Sequence, residues 1–161
     1  MKITLEEALK DLKKTYGEGS IYEVGKHQPI KMDRISFGSL TFDVLSGGGL
    51  PVGRIIEIAG WESSTKTTLS INAAIEHQKV GKVGYIDFEH AFDMEYASNL
   101  GLDTGSLIFS QPNSLEEGFN IVDKLVDVDG INLIIIDSLA TATPQKEIDG
   151  EIGDSVIGLQ A

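Results

Sequence analysis

A chain of 161 residues has room for one hydrophobic core, and its lack of cysteine excludes disulfides and thiolate metal sites. Hydrophobic residues make up 41% and charged residues 24% of the sequence, which is typical of a globular protein. No apolar run could span a membrane and no signal segment opens the chain, so we expect a cytoplasmic protein. The net charge of −12 lies wholly in residues 82–161, where three basic residues stand against fifteen acidic ones, and this excludes a basic nucleic-acid face in that half.

The first predicted element is an amphipathic helix. Apolar side chains recur at spacings of three and four residues, at Leu5, Ala8, Leu9, Leu12 and Tyr16. Thr4 and Glu7 fit a capping box at the start of this helix, and Gly17 fits its end. The run SIYEVGK (20–26) predicts a short strand, so residues 1–31 are predicted to form a helix–strand arm. From the pattern alone, such an arm packs either on its own domain or on another chain.

Strand-like and helix-like segments alternate along the rest of the chain, after a glycine-rich loop at 46–53. Runs rich in β-branched residues predict strands at 54–60, 82–87, 106–111 and 132–138. The segments between them predict helices at 67–79, 94–100 and 115–126. This alternation predicts an α/β fold, with a parallel sheet and flanking helices, over residues 32–161. The apolar run 133–136 predicts a central strand that is buried on both faces.

The segment GWESSTKT (60–67) follows a predicted strand and opens a predicted helix, which is the setting of a phosphate-binding P-loop. Gly60, Lys66 and Thr67 match the pattern G-x-x-x-x-G-K-[ST]. In such a loop the backbone N–H groups wrap the phosphates, Lys66 would lie against the β- and γ-phosphates, and the Thr67 hydroxyl would hold Mg²⁺. The open alternative is an incidental strand–turn–helix with a buried or solvated lysine.

The second glycine of the pattern is replaced by Thr65. A glycine in such a loop permits a positive φ or a close approach of the backbone to the ligand. A β-branched residue adopts a positive φ only at a cost of about 1–2 kcal/mol. We therefore expect Thr65 to weaken nucleotide binding or hydrolysis.

Acidic residues follow two of the predicted strands. Asp137 ends the run NLIIIDS, about seventy residues after the loop, and is typical of a Walker B acid that supports Mg²⁺ through water or through Thr67. Asp87 and Glu89 follow the strand predicted at 82–87. Because ligands bind at the carboxyl ends of parallel strands, a carboxylate there could activate water for attack on a γ-phosphate.

Asp93 and Tyr96 are three residues apart and are predicted to share a helix face, where they could hold and stack a base. The alternative is that Glu89 and Asp93 are solvated acids in a loop and that Tyr96 belongs to the core. His90 is predicted to be a hydrogen-bonded structural histidine rather than a ligand.

Several stretches of the chain together resemble the bacterial and phage RecA recombinases over essentially its whole length. EHAFD and GEIGDS are the most specific to that family. The other matching stretches are YGEGSIYEVG, ISFGSLTFDVL, GGLPVGRIIEIAG, ESSTKTTL, IDFEHAFDMEYA, FSQPNSLEEG, IIIDSLATATPQKEIDGEIGDS and GLQA. The resemblance implies a RecA-like P-loop NTPase sheet that binds ATP with Mg²⁺.

By matching position, the resemblance also implies roles for individual residues. The phosphate loop would comprise Gly60, Glu62, Ser63, Ser64, Thr65, Lys66, Thr67 and Thr68. The catalytic residues would be Lys66 and the general base Glu89. Thr67 and Asp137 would be the Mg²⁺ residues, with Asp137 also part of the ATP site. The adenine contacts would be Asp93 and Tyr96.

Members of this family polymerise on single-stranded DNA and catalyse strand exchange, so the resemblance implies DNA and further copies of the chain as partners. Residues 1–25 resemble the arm that docks on the neighbouring subunit. The segment 150–158 resembles the first of two DNA-binding loops, with contacts at Gly150, Glu151, Ile152, Gly153, Asp154, Ser155 and Ile157. Because KEIDGEIGDS carries one lysine and four acids, it would meet DNA mainly through backbone groups.

The resemblance stops at Ala161, soon after this loop. The second DNA loop, a γ-phosphate-sensing glutamine, the rest of the sheet and the C-terminal domain of the family have no counterpart in the sequence. In the family, the strand after the Walker B strand lies between that strand and the one before the P-loop. We therefore expect an incomplete sheet with a gap, unpaired backbone groups and exposed apolar edges.

The leading hypothesis is a truncated or split RecA-type recombinase with impaired ATP-dependent DNA pairing. The rival is a non-catalytic module that docks on an intact recombinase filament. The charge of −12 and Thr65 favour the rival, and the retention of Lys66, Thr67, Glu89 and Asp137 opposes it. A third possibility is a gene fragment without a role, which would be insoluble or molten.

Overall fold

The computed structural model describes residues 3–26 and 31–150, and the chain divides into two compact units, Met1–Met32 and Asp33–Ala161. In the first unit, α1 (Leu5–Tyr16) has the predicted capping box. The Glu7 backbone N–H donates to Thr4 Oγ1 at 3.3 Å, and the Thr4 backbone N–H donates to Glu7 Oε2 at 2.9 Å. The helix prediction is confirmed, because its determinants are local.

The strand predicted at 20–26 is wrong. Val24–Lys26 is a short 3-10 helix, and the described residues on either side of it form no strand. A strand requires backbone partners, and the described residues of this unit contain no other strand that could supply them.

The second unit opens with a small antiparallel ladder, in which β1 (Arg34–Ile35) pairs with β2 (Leu50–Pro51). Between them lies α2 (Leu40–Ser46), which the sequence pattern does not predict. Gly49 has a φ of 110°, and any side chain there would collide with the backbone of Ile35. The glycine-rich loop thus allows the close approach that the ladder requires.

Three parallel strands form the main sheet: β3 (Lys82–Asp87), β4 (Ile108–Ser110) and β5 (Ile131–Asp137), in the order β4–β3–β5. This confirms the α/β prediction. The central strand is β3 rather than the run 133–136, because β5 pairs only with β3 among the described strands. Asp87 and Asp137 are register partners, so the two strand ends lie side by side.

The strand predicted at 54–60 is also absent: these residues adopt no regular secondary structure, and Ile55 is fully exposed. In the described part of the sheet, one edge of β5 has no strand beside it. The isoleucines of 54–60 favour extended structure, but hydrogen-bonding partners decide whether a strand forms. The described sheet therefore has an unpaired edge on β5, and no strand at 54–60 stands across a gap from it.

Helices cover both faces of the main sheet, as predicted. On one face, α3 (Lys66–Gln78) and α4 (Met94–Leu100) enclose a cluster of Ile71, Ala74, Val83, Tyr85, Ala97, Leu102 and Ile135. On the other, α5 (Leu115–Val126) packs over Ile86, Phe88 and Ala142. After β5 come a 3-10 turn at Leu139–Thr141 and α6 (Gln145–Ile148). Within residues 3–26 and 31–150, no helix is long and apolar enough to cross a membrane.

His77, in the last turn of α3, is a buried polar residue of this core. It is 3% exposed, and neither ring nitrogen hydrogen-bonds to another described residue. Burial lowers the pKa of His77 below its ordinary value, because the charged ring would lose its hydration. The unfolded chain therefore binds a proton at a higher pH than the folded chain does.

We predict that stability falls as the pH drops through about 6.5, where the unfolded histidine gains its proton, by up to about 1.4 kcal/mol per pH unit. Urea unfolding at pH 7.5 and pH 5.5 measures the change. In the variant His77→Leu, the free energy of unfolding should depend much less on pH. His90→Asn serves as the control and should keep it. An unchanged pH dependence in His77→Leu would contradict the assignment.

Candidate phosphate-binding site

The loop before α3 contains two non-glycine residues in the left-handed region. Ser63 has a φ of 57° and Thr65 a φ of 67°. Thr65 directly precedes α3, and its hydroxyl donates to the Ser64 carbonyl rather than capping the helix. The position where the pattern has glycine therefore has a positive φ, which a β-branched residue adopts at a conformational cost.

Lys66 opens α3 and folds back over the loop that precedes it. Its Nζ donates to the Gly60 carbonyl at 3.0 Å and to the Trp61 carbonyl at 2.9 Å. The ammonium group thus lies against the loop that precedes α3, and the first backbone N–H groups of that helix have no partners within the helix. A lysine and a helix N-terminus side by side favour an anion.

Thr67 and Asp137 meet, although they are 70 residues apart in the sequence. Thr67 Oγ1 donates to Asp137 Oδ2 at 2.9 Å, and the Tyr85 hydroxyl donates to the same oxygen at 2.7 Å. Hydroxyl and carboxylate oxygens are ligands that suit Mg²⁺. Among the described residues no cluster of three or more His, Cys, Asp or Glu could hold a metal ion. A cation here would therefore depend on phosphate and water for its remaining ligands.

The loop after β3 is organised by Asp87, which is 2% exposed. Its carboxylate accepts hydrogen bonds from the Glu89 backbone N–H at 3.1 Å, the Phe92 backbone N–H at 3.1 Å and Gln111 Nε2 at 2.9 Å. The buried Asp87 carboxylate is thus engaged in hydrogen bonds within the protein, whereas Glu89 is exposed. Of the two acids considered from the sequence, only Glu89 can reach a solvent-borne substrate.

His90 lies in the same loop with a φ of 54°, and its Nε2 is 3.2 Å from the Pro112 carbonyl. The hydrogen bond predicted for this histidine is present. The contact ties the loop that carries Glu89 to the segment after β4.

Asp93 and Tyr96 both take part in the start of α4. Asp93 caps the helix by accepting the Tyr96 backbone N–H at 2.9 Å. The Tyr96 hydroxyl lies 3.0 Å from Thr68 Oγ1 on α3. Tyr96 is 42% exposed, so the alternative that Tyr96 belongs to the core is wrong. The two candidate base contacts are therefore linked to the helix that follows the phosphate loop.

The remaining predicted positions are less constrained. Three of them are exposed residues of the loop before α3: Glu62, Ser63 and Ser64. Gly150 ends the described segment, and the predicted DNA contacts Glu151, Ile152, Gly153, Asp154, Ser155 and Ile157 lie outside the described residues. Sequence reasoning missed Tyr85 and Gln111. A tyrosine within an aliphatic buried strand was the available signal, since a buried hydroxyl needs a partner.

The parallel sheet and its flanking helices define an α/β protein, in which Lys66 opens α3 and Asp137 ends β5. A family model described as the RecA N-terminal domain matches residues 3–161. Similar curated proteins, each called Protein RecA, occur in Clostridium beijerinckii, 50% identical over 159 residues, and in Wigglesworthia glossinidia brevipalpis, 49% identical over 162 residues. The alignments cover 98% and 99% of this chain and 44% and 49% of those relatives. The chain belongs to the RecA family and spans less than half the length of these relatives.

Proposed function

We propose that this chain forms the ATP-binding part of a RecA-type recombination protein, which binds single-stranded DNA and exchanges strands in DNA repair. The observation that carries the proposal is the contact between Asp137 and Thr67, which follows Lys66 at the start of α3. A Mg²⁺-bound triphosphate requires a lysine, a hydroxyl and a carboxylate. Here the lysine and the hydroxyl open α3, and the carboxylate ends β5.

Each residue has a role in this proposal. The Lys66 ammonium group exchanges its two carbonyl partners for oxygens of the β- and γ-phosphates. Thr67 and Asp137 would hold Mg²⁺, which would supply positive charge to neutralise the phosphates. Glu89 takes a proton from the water whose oxygen bonds to the γ-phosphorus as the bond to ADP breaks. Asp93 and Tyr96 contact the adenine.

We propose that activity is impaired, because Thr65 makes the loop costly to form. The DNA contacts at 150–158 and a cytoplasmic location remain proposals drawn from the family. Self-association through residues 1–31 has support in α1, which exposes Leu5 by 69% and Tyr16 by 72% of their side chains. Apolar side chains so placed favour association with another surface.

Calorimetry with ATP and Mg²⁺, and with adenosine as the control ligand, tests the nucleotide site. We expect ATP to bind more tightly than adenosine, and Lys66→Ala to lose most of that difference. Equal affinities for ATP and adenosine would refute a phosphate site. Fluorescence anisotropy with labelled single-stranded DNA, with and without ATP, tests the DNA partner separately, and we expect weak binding.

A second candidate is a non-catalytic module that docks on an intact RecA filament. The excess of acidic residues in 82–161 and the left-handed Thr65 favour it. Co-sedimentation with filaments of an intact RecA protein distinguishes the two candidates. Association without nucleotide binding supports the module, whereas a lack of association excludes it.

A further inference from the structure

Tyr85 is a fully buried tyrosine in the central strand, with an exposure of 0%. Its ring packs against Phe92 and Phe109, with centroid distances of 4.5 Å and 6.2 Å. The buried hydroxyl needs a hydrogen-bond partner, and it has one in the Asp137 carboxylate.

The two donors to Asp137 come from different elements. Thr67 lies on α3 and Tyr85 on β3, and both donate to Oδ2, at 2.9 Å and 2.7 Å. Within the described part of the chain, Oδ1 accepts no hydrogen bond. Two donors on Oδ2 restrict rotation of the carboxylate and leave Oδ1 free to accept a hydrogen bond from a water molecule.

We propose that Tyr85 is a positioning residue for the metal-dependent part of nucleotide binding, which it serves by orienting Asp137. This inference rests on the proposed function. Thr67 has one hydroxyl proton, and in the proposed site its oxygen also serves the cation. Without Tyr85, Thr67 alone would orient Asp137, so the carboxylate could turn and Oδ1 would lose its fixed position for a metal-bound water. Removing a hydrogen bond that orients a metal-binding group typically costs about 10–100-fold in metal affinity.

Tyr85→Phe tests the inference, because it keeps the ring and removes only the hydroxyl. ATP affinity is measured by calorimetry across a Mg²⁺ titration and in EDTA. Mg²⁺ is expected to raise the affinity for ATP, and we call the Mg²⁺ concentration that gives half of this gain the Mg²⁺ midpoint. We expect Tyr85→Phe to raise the Mg²⁺ midpoint about tenfold. The affinity for ATP in EDTA should change less than about twofold, since the phosphate loop is untouched. Phe109→Leu is the control, because it disturbs the same aromatic cluster without touching Asp137, and its Mg²⁺ midpoint should match that of the original chain.

A double-mutant cycle guards against a general effect on folding. In the Asp137→Asn background, adding Tyr85→Phe should produce no further shift of the Mg²⁺ midpoint, because the tyrosine acts through that carboxylate. An unchanged midpoint in Tyr85→Phe, or a full further shift in the Asn background, overturns the inference alone. If the original chain binds ATP and adenosine equally, with or without Mg²⁺, the proposed function fails first and the inference falls with it.

Discussion

Replacing Thr65 by glycine is expected to raise the affinity of the chain for ATP about tenfold, equivalent to about 1.4 kcal/mol. Thr65 has a φ of 67°, and its hydroxyl is engaged with the Ser64 carbonyl. Glycine adopts this φ without a Cβ penalty and leaves the loop free to adjust to phosphate. The free energy of unfolding should change by less than about 1 kcal/mol, because glycine also gains freedom in the unfolded chain.

Calorimetry with ATP and Mg²⁺ measures this effect, and Thr65→Ala is the matched control. Alanine lacks the β-branch and the hydroxyl but keeps the Cβ at a positive φ, so it should recover only a small part of the gain. If the original chain, Thr65→Ala and Thr65→Gly bind ATP equally, the left-handed Thr65 does not limit the site.

Replacing Gly118 by valine is expected to lower the free energy of unfolding by about 3 kcal/mol. Gly118 lies in the first turn of α5 and is its only buried residue. A Cβ atom there would collide with the ring of Phe88, which is 8% exposed and packs with Ile86 and Ala142. Since the ring is enclosed, the collision can be relieved only by moving α5 or the end of β3.

Denaturant unfolding followed by circular dichroism measures this loss. Asn120→Val places the same side chain on an exposed position of α5 and should change stability by no more than about 0.5 kcal/mol. Equal losses in the two variants would mean that the helix, rather than the contact with Phe88, is sensitive to valine.

Some residues of the candidate site can be identified from a local sequence pattern, whereas others depend on contacts between distant parts of the chain. The sequence motif identifies Lys66 and Thr67, because a glycine-containing loop before a helix is a local pattern. It does not show that Tyr85 shares Asp137 with Thr67, nor that Asp87 is consumed by its own loop. Those roles depend on which strand ends lie side by side.

By itself, the sequence determined the helices α1, α3, α4 and α5, but it did not predict α2 or α6. The bounds of α4 and α5 agree with the prediction, and α1 begins at its capping box, because caps and apolar spacing act within a few residues. Tertiary structure decided the strands. The segments 20–26 and 54–60 have strand-like composition without becoming strands, whereas β3 becomes the centre of the sheet. The physical reason is that a strand is completed by hydrogen bonds to residues distant in the chain, and composition does not specify those partners.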